Sequence, residues 1–134
     1  SRYKMLGYLL SNNMRVNKEL GVATLWMTEQ ELMRFNYETG DTEGFVNIPL
    51  DIKGVVCSAF FKETEGKIRL SLRSIGDVPV NEFAAKFYNG GGHINASGGE
   101  SFLPMEETLR NFDKNILDLE ERLLKEIERQ SDEI

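Results

Sequence analysis

The chain has 134 residues, a formal charge of −6, one Cys and one His. At about 100–200 residues per domain this is one domain with a tail at most, and a chain near this size hides about two-thirds of its unfolded surface. One Cys excludes an internal disulfide framework and a Cys-rich zinc site, one His excludes a multi-His metal cluster, and no apolar run approaches the roughly 18 residues of a membrane span.

A lone thiol suits a reducing, cytoplasmic setting. Arg2 and Lys4 precede no long apolar stretch, so no signal peptide is expected. The chain starts at Ser1 rather than Met, and the expectation is a piece of a longer protein. Charge is unevenly spread. From Met105 onward there are ten acids and five bases, whereas Ser1 to Pro104 holds twelve acids and eleven bases. A nearly neutral body is no platform for long duplex nucleic acid, which favours clustered Lys and Arg. It can still hold one or two phosphates locally.

In chain order, Tyr3, Leu6, Leu9 and Leu10 recur at helical spacing and predict an amphipathic helix over Ser1 to Asn12. Val22 to Met27 is short, apolar and β-prone and predicts a strand. Thr28-x-x-Glu31 is a capping box opening a helix to about Asn36. Glu38 to Asp41 reads as a loop. Pro49 argues against a central strand, so Thr42 to Ile52 is expected as a short helix or turn.

Val55 to Lys62 and Lys67 to Ser74 are the strongest strand signals, joined by a turn of moderate length over Glu63 to Gly66. In the second strand, period two sends Ile68, Leu70 and Leu72 to one face and Arg69, Ser71 and Arg73 to the other. Asn81 is expected to N-cap a helix through Tyr88. Asn89 to Gly99 reads as a glycine-rich loop, with five Gly in eleven residues, and Ser101 to Leu103 as the end of a last strand. Pro104 suits the first position of a long final helix. Met105, Leu109, Phe112, Ile116, Leu119, Leu123 and Ile127 form one stripe along it. The predicted fold is mixed α/β (α+β): a mixed central sheet flanked by helices, with a long amphipathic C-terminal helix.

Two segments suit chemistry. Three consecutive glycines, Gly90 to Gly92, are costly in chain entropy and imply a specific geometric need. Bare backbone amides can converge on an anion, and His93 directly follows. No Gly-Lys-Ser/Thr ending marks a Walker loop, and Asn95 stands where the dinucleotide fingerprint needs its last Gly. The bland alternative is a flexible connection with a surface His. Arg69, Ser71 and Arg73 on one strand face can grip phosphate oxygens, with the guanidinium bidentate; the bland alternative is a wet polar face. Cys57 lies in an apolar strand and reads as a buried small hydrophobe, not a nucleophile. Trp26 and Phe35 read as core residues. The stretch Asp41 to Glu43 reads as solvated rather than as a metal site.

The combination of Ser71-Leu72-Arg73-Ser74, an amphipathic helix, and Gly90-Gly91-Gly92-His93-Ile94-Asn95-Ala96-Ser97-Gly98-Gly99 resembles the C-terminal, DHH-associated domain of the Asp-His-His phosphoesterases. The stretch Thr42-Glu43-Gly44-Phe45-Val46-Asn47 resembles the oligoribonuclease and pAp-phosphatase branch, with an exopolyphosphatase-related assignment also open. The resemblance covers about Ser1 to Phe102. Many relatives have a fourth glycine where Asn89 sits and a second Ala where Ser97 sits.

The resemblance implies that residues 1–103 form a substrate-binding domain, with 104–134 a helix packing on or extending from it. It implies a phosphate held by Gly90, Gly91, Gly92 and His93, reached by Arg73 and Ser71, with Ala96, Ser97 and Gly98 as a small-residue wall. Thr42, Glu43 and Asn47 are further candidates. It assigns this chain no catalytic residue, metal ligand or cofactor. Manganese and the Asp-His-His triplet are expected on a separate N-terminal catalytic domain, the natural partner of this one, and this chain alone is expected to be inactive. The implied ligand is a short oligoribonucleotide or a nucleotide phosphate, with cyclic dinucleotides and polyphosphate open. Two other classes stand beside this one: an RNA-binding domain of the alanyl-tRNA-synthetase type, and a homodimerisation module built on the final helix.

Overall fold

The computed structural model describes residues 1–132. The elements are α1 (Arg2–Asn12), β1 (Met14–Asn17), β2 (Val22–Met27), α2 (Glu29–Arg34), a 3₁₀ helix (Phe45–Asp51), β3 (Cys57–Thr64), β4 (Lys67–Ser74), α3 (Val80–Phe87), β5 (Gly91–His93), β6 (Ala96–Ser101), α4 (Met105–Asn115), a second 3₁₀ helix (Ile116–Leu119) and α5 (Glu120–Asp132). The six strands form one mixed sheet in the order β1-β2-β3-β4-β6-β5. The β2–β3 pair is parallel and the other four pairs are antiparallel. A parallel pair needs a crossover. Here α2 and the first 3₁₀ helix supply it, and they lie on one face of the sheet. The fold is the mixed α+β architecture that the hydrophobic pattern predicts.

The sheet separates two apolar layers. On one side Cys57, Ala59 and Phe61 of β3 and Ile68, Leu70 and Leu72 of β4 pack against Phe83 of α3 and Phe112, Ile116, Leu119 and Leu123 of the C-terminal segment. On the other side Leu25, Met27 and Phe60 pack against Met5 and Leu9 of α1, Leu32 of α2, and Phe45 and Val46 of the 3₁₀ helix. No β4 residue belongs to this second cluster. The apolar part of the covering layer therefore packs on β2 and β3, and the polar face of β4 lies at its margin, beside the 3₁₀ helix.

Several boundaries differ from the sequence reading. β1 is an additional strand, short and half-exposed. The β3–β4 turn is tight: the strands run to Thr64 and from Lys67, and Glu65 and Gly66 both take positive φ, 53° and 77°. This geometry matches the right-handed strand twist. Asn89 to Gly99 is not a loop but a hairpin, β5–β6, closed at Ile94 and Asn95. β6 ends at Ser101, before Phe102 and Leu103. Asn81 lies inside α3, whose N-cap position is Pro79. Pro104 precedes α4 by one residue. The final helix is broken by a 3₁₀ turn at Ile116–Leu119, which lets its stripe follow the sheet. Trp26 and Phe35 are only partly buried, at the margins of the two clusters.

The capping box forms as expected, and it is the centre of a larger network. Glu31 accepts from the Thr28 backbone amide at 2.9 Å and from Asn13 Nδ2 at 2.8 Å, and also from the Tyr8 hydroxyl. It thereby ties α1, the entry to β1 and α2 together. Burial pushes the Glu31 carboxyl up, but these donated bonds outweigh it and hold it below its ordinary value. A depressed folded pKa adds stability that is present above the unfolded value and lost as pH falls through the folded one. Glu31→Gln is therefore expected to lower stability at neutral pH by about 1–2 kcal/mol and to flatten the acid limb of a denaturation-versus-pH profile. A profile parallel to wild type at all pH values contradicts this role.

Candidate functional site

The uncovered half of the sheet is the floor of a cavity of about 610 Å³. Its floor comes from β3, β4 and β6, and one wall from the segment 37–44. Sheet register decides what the floor carries. Directly opposed residues of an antiparallel pair share a face. Three rows follow from the pairings. Arg73, Ala96 and His93 form one, Ser71, Gly98 and Gly91 the next, and Lys62, Arg69 and Glu100 the third. Residues that read as separate segments in the sequence thus meet on one surface.

Of the sequence-predicted residues, Thr42, Glu43, Arg69, Ser71, Arg73, Gly90 and Gly98 line the cavity together. Gly91, His93 and Ala96 share the face but lie outside the lining, with His93 exposed at the sheet edge. Gly92 and Ser97 are paired on the opposite face. The Ser97 hydroxyl is buried and donates to the Val80 carbonyl at 2.8 Å, tying β6 to α3. Asn47 is exposed on the 3₁₀ helix, away from the cavity.

Arg73 Nη1 donates to the Leu72 carbonyl at 2.8 Å and to the Ser97 carbonyl at 3.5 Å. These bonds orient the guanidinium and leave Nε and Nη2 without protein partners among the described residues. An oriented fork with open donors suits a phosphate or carboxylate. The hairpin behind it is clamped: Asn95 Nδ2 donates to Ser74 Oγ at 2.9 Å and to the Gly76 carbonyl at 3.0 Å.

The glycines divide by cause. A Cβ at Gly90 would stand 1.9 Å from the Gly98 carbonyl oxygen, and one at Gly99 would stand 2.6 Å from Tyr88 Cβ. These two glycines are required by close backbone and helix approach. A Cβ at Gly91 would meet nothing within 4 Å, and Gly91 is not among the positive-φ glycines. Nothing in the fold demands glycine there, yet the position keeps the floor beside Gly98 bare.

Sequence reading missed Lys62 and the wall residues Tyr37, Thr39 and Gly40. Lys62 Nζ donates to the Tyr37 hydroxyl at 3.0 Å and to Thr42 Oγ1 at 3.2 Å, and it lies 5.1 Å from the Tyr37 ring centre. The tight Glu65-Gly66 turn is the signal that places Lys62 across from Arg69. Arg2 sets the wall. Its Nη1 donates at 2.8 Å to the carbonyls of both Asp41 and Glu43, and its guanidinium stacks on Phe45. Cys57 is fully buried, and burial alone pushes its thiol up to about 12. It is no nucleophile. Among the described residues no group of three or more His, Cys, Asp or Glu could hold a metal ion. No helix among the described residues is long and apolar enough to cross a membrane.

The arrangement is an open sheet face with an oriented Arg, a neighbouring hydroxyl and a bare glycine floor. Residues 17–128 match the DHHA1 domain, and the chain belongs to that family. It is 34% identical over 116 residues to the probable bifunctional oligoribonuclease and PAP phosphatase NrnA of Streptococcus mutans, covering 85% of this chain and 36% of that protein. It is likewise 34% identical over 99 residues to the bifunctional oligoribonuclease and PAP phosphatase NrnA of Bacillus subtilis, covering 74% of this chain and 30% of that protein. An exopolyphosphatase-related protein from Bacteroides fragilis superposes with a TM-score of 0.88 and 47% identity, over 91% of this chain and 36% of that one. The chain thus spans about a third of the length of these relatives.

Glycine chemistry gives a direct check. Gly90→Ala is expected to lower Tm by at least about 5 °C, because backbone must move to admit the Cβ. Gly91→Ala is expected to melt within about 2 °C of wild type. Thermal scans in which both variants shift equally would contradict this division.

Proposed function

We propose that this domain is the substrate-binding part of a phosphoesterase that hydrolyses short oligoribonucleotides or pAp-like nucleotides. The observation that carries the reading is the convergence of Arg73, Ser71 and the bare Gly91–Gly98 floor on one open sheet face. Arg73 takes phosphate oxygens through its open donors, and Ser71 adds a hydroxyl from the next row. The glycine floor lets a sugar or base lie close to the backbone, and His93 meets the ligand from the sheet edge. The names of the relatives support this ligand class for a chain 34% identical to them.

In this reading the hydrolytic step belongs to an N-terminal domain carrying manganese, and the protein acts in the cytoplasm. The present domain contributes positioning, and holding the ligand in place can remove several kcal/mol of a barrier. A small site also suits the weak net charge of the body, since short ligands require few phosphates to be neutralised. The alternative of helix-mediated pairing has less to draw on: Met105, Phe112, Ile116, Leu119 and Leu123 are already buried in the domain's own core.

The test is a fluorescence titration of a labelled dinucleotide into wild type, Arg73→Ala and His93→Ala. Arg73→Ala is expected to weaken binding about 10- to 100-fold, the range for a charge-assisted hydrogen bond. His93→Ala is expected to lose less, given its place at the edge. Equal affinities for all three proteins would overturn the reading.

A further inference from the structure

Glu126 lies on α5, yet its carboxylate is buried: the residue is 3% exposed. A buried charge is costly unless donors meet it. Gln130 Nε2 donates to Oε2 at 2.8 Å, and Arg129 Nη2 lies 3.0 Å from Oε2 and 2.9 Å from Oε1. Both donors come from its own helix. The third is the Asp77 backbone amide, in the turn between β4 and α3. Burial pushes the carboxyl up, but these donors outweigh it and hold it below its ordinary value, so it is ionised at neutral pH. The turn is shaped to admit it. Gly76 has φ 64°, and a Cβ there would stand 2.1 Å from Glu126 Oε1. Arg122 of α5 adds a second tie, its Nη1 donating to the Asp77 carbonyl at 3.2 Å.

The same turn is held from the hairpin side. The Gly76 carbonyl accepts from Asn95 Nδ2 at 3.0 Å. That carbonyl and the Asp77 amide are the two ends of one peptide group. Asn95, the peptide and Glu126 therefore form a chain of donors and acceptors, and bonds in such a chain polarise one another. A carboxylate on the N–H makes the carbonyl a stronger acceptor. The hairpin tip has other bonds too. The Asn95 carbonyl accepts from the Ser74 amide at 3.1 Å, and the Ile94 carbonyl from the Val80 amide at 2.9 Å. Asn95 Nδ2 also donates to Ser74 Oγ at 2.9 Å. The bond to Gly76 leads on to a buried charge. β5 is the sheet edge and pairs with β6 alone. The place of Gly91 and His93 thus follows from β6 and from the tip.

We propose that Glu126 is a positioning residue for the hairpin: through the Gly76–Asp77 peptide and Asn95 it fixes the β5 edge that carries His93 beside the cleft. The clamp is complete without a ligand, so it sets the edge in advance and lowers the ordering cost of binding. The acidic C-terminal segment thereby acts on a cleft that it does not touch. The effect on affinity rests on the proposed nucleotide cleft; the effect on the hairpin is independent of any ligand.

The first measurement is of amide chemical shifts in the isotope-labelled 134-residue chain without ligand. The proteins compared are wild type, Glu126→Gln, Glu126→Ala, Asn95→Ala, the Asn95→Ala/Glu126→Ala double variant and Glu31→Gln. Glu31 acts at α1 and α2, away from the hairpin, so its variant controls for a general loss of stability. Glu126→Ala is expected to move the Asp77 amide, the Asn95 side-chain amide and the Gly91 to His93 amides. Glu126→Gln keeps a neutral acceptor and is expected to move the same signals less; it carries the test if the Ala variant does not fold. Glu31→Gln is expected to leave them in place. In the Asn95→Ala background, Glu126→Ala is expected to move the β5 amides no further. The second measurement is titration with a labelled dinucleotide. Glu126→Ala is expected to weaken binding about two- to tenfold, the coupling range within one hydrogen-bond network, and to add nothing to Asn95→Ala. Hairpin amides unmoved by both Glu126 variants, or moved equally by Glu31→Gln, overturn the positioning role. So does an unchanged affinity in Glu126→Ala when Arg73→Ala still weakens binding. If wild type binds no dinucleotide, the nucleotide reading falls, and the hairpin shifts alone decide the clamp.

Discussion

The structure depends on the two-sidedness of β4. Its alternation buries Ile68, Leu70 and Leu72 against the C-terminal helices and turns Lys67, Arg69, Ser71 and Arg73 the other way. One substitution of register would exchange these faces, because the side-chain period of a strand is two. The apolar half therefore fixes the polar half. Burying three aliphatic side chains, each worth about 1.5–3 kcal/mol, is what holds two guanidinium groups at a set spacing in the open. A polar surface positioned this way does not rely on a flexible loop.

The second dependence is on how far the covering layer reaches. The α2 and 3₁₀ crossover is obliged by the parallel β2–β3 pair, and its apolar residues pack chiefly on β2 and β3, with the polar face of β4 at their margin. What lies beyond is a cleft rather than a core. Arg2 then shapes the wall by donating to the carbonyls of both Asp41 and Glu43. Fold and site are thus the same construction seen from opposite faces of one sheet.

Legibility in the sequence followed the strength of local signals. The β4 alternation and the Thr28–Glu31 capping box could be read directly, because each is a pattern of side chains with one physical solution. The hairpin at Gly91–Ser101 could not. Glycine is depleted in strands, and this stretch is extended by pairing of β6 with β4 and of β5 with β6. β1 is four residues long, too short for a period to register. Asn81 is a good capping residue by type, but Pro79 takes the position and Asn81 Oδ1 is left buried without a partner. For the site, Arg69, Arg73, Ser71, Gly90, Gly98, Thr42 and Glu43 were readable and are brought to one cavity. Lys62, Tyr37, Thr39 and Gly40 were not, since their place follows from register and from a wall held by a residue some 40 positions away.

The central claim is that the polar face of β4 and β6, and no other surface, receives a nucleotide. Amide chemical-shift mapping of the isotope-labelled chain during titration with a 5′-phosphorylated dinucleotide tests it most directly. The account predicts saturable shifts confined to Lys62, Arg69 to Arg73, Gly90 to His93, Gly98 and the 37–44 wall, with α4 and α5 unmoved. Shifts centred on the C-terminal helices, or none at ligand concentrations in the millimolar range, would contradict it.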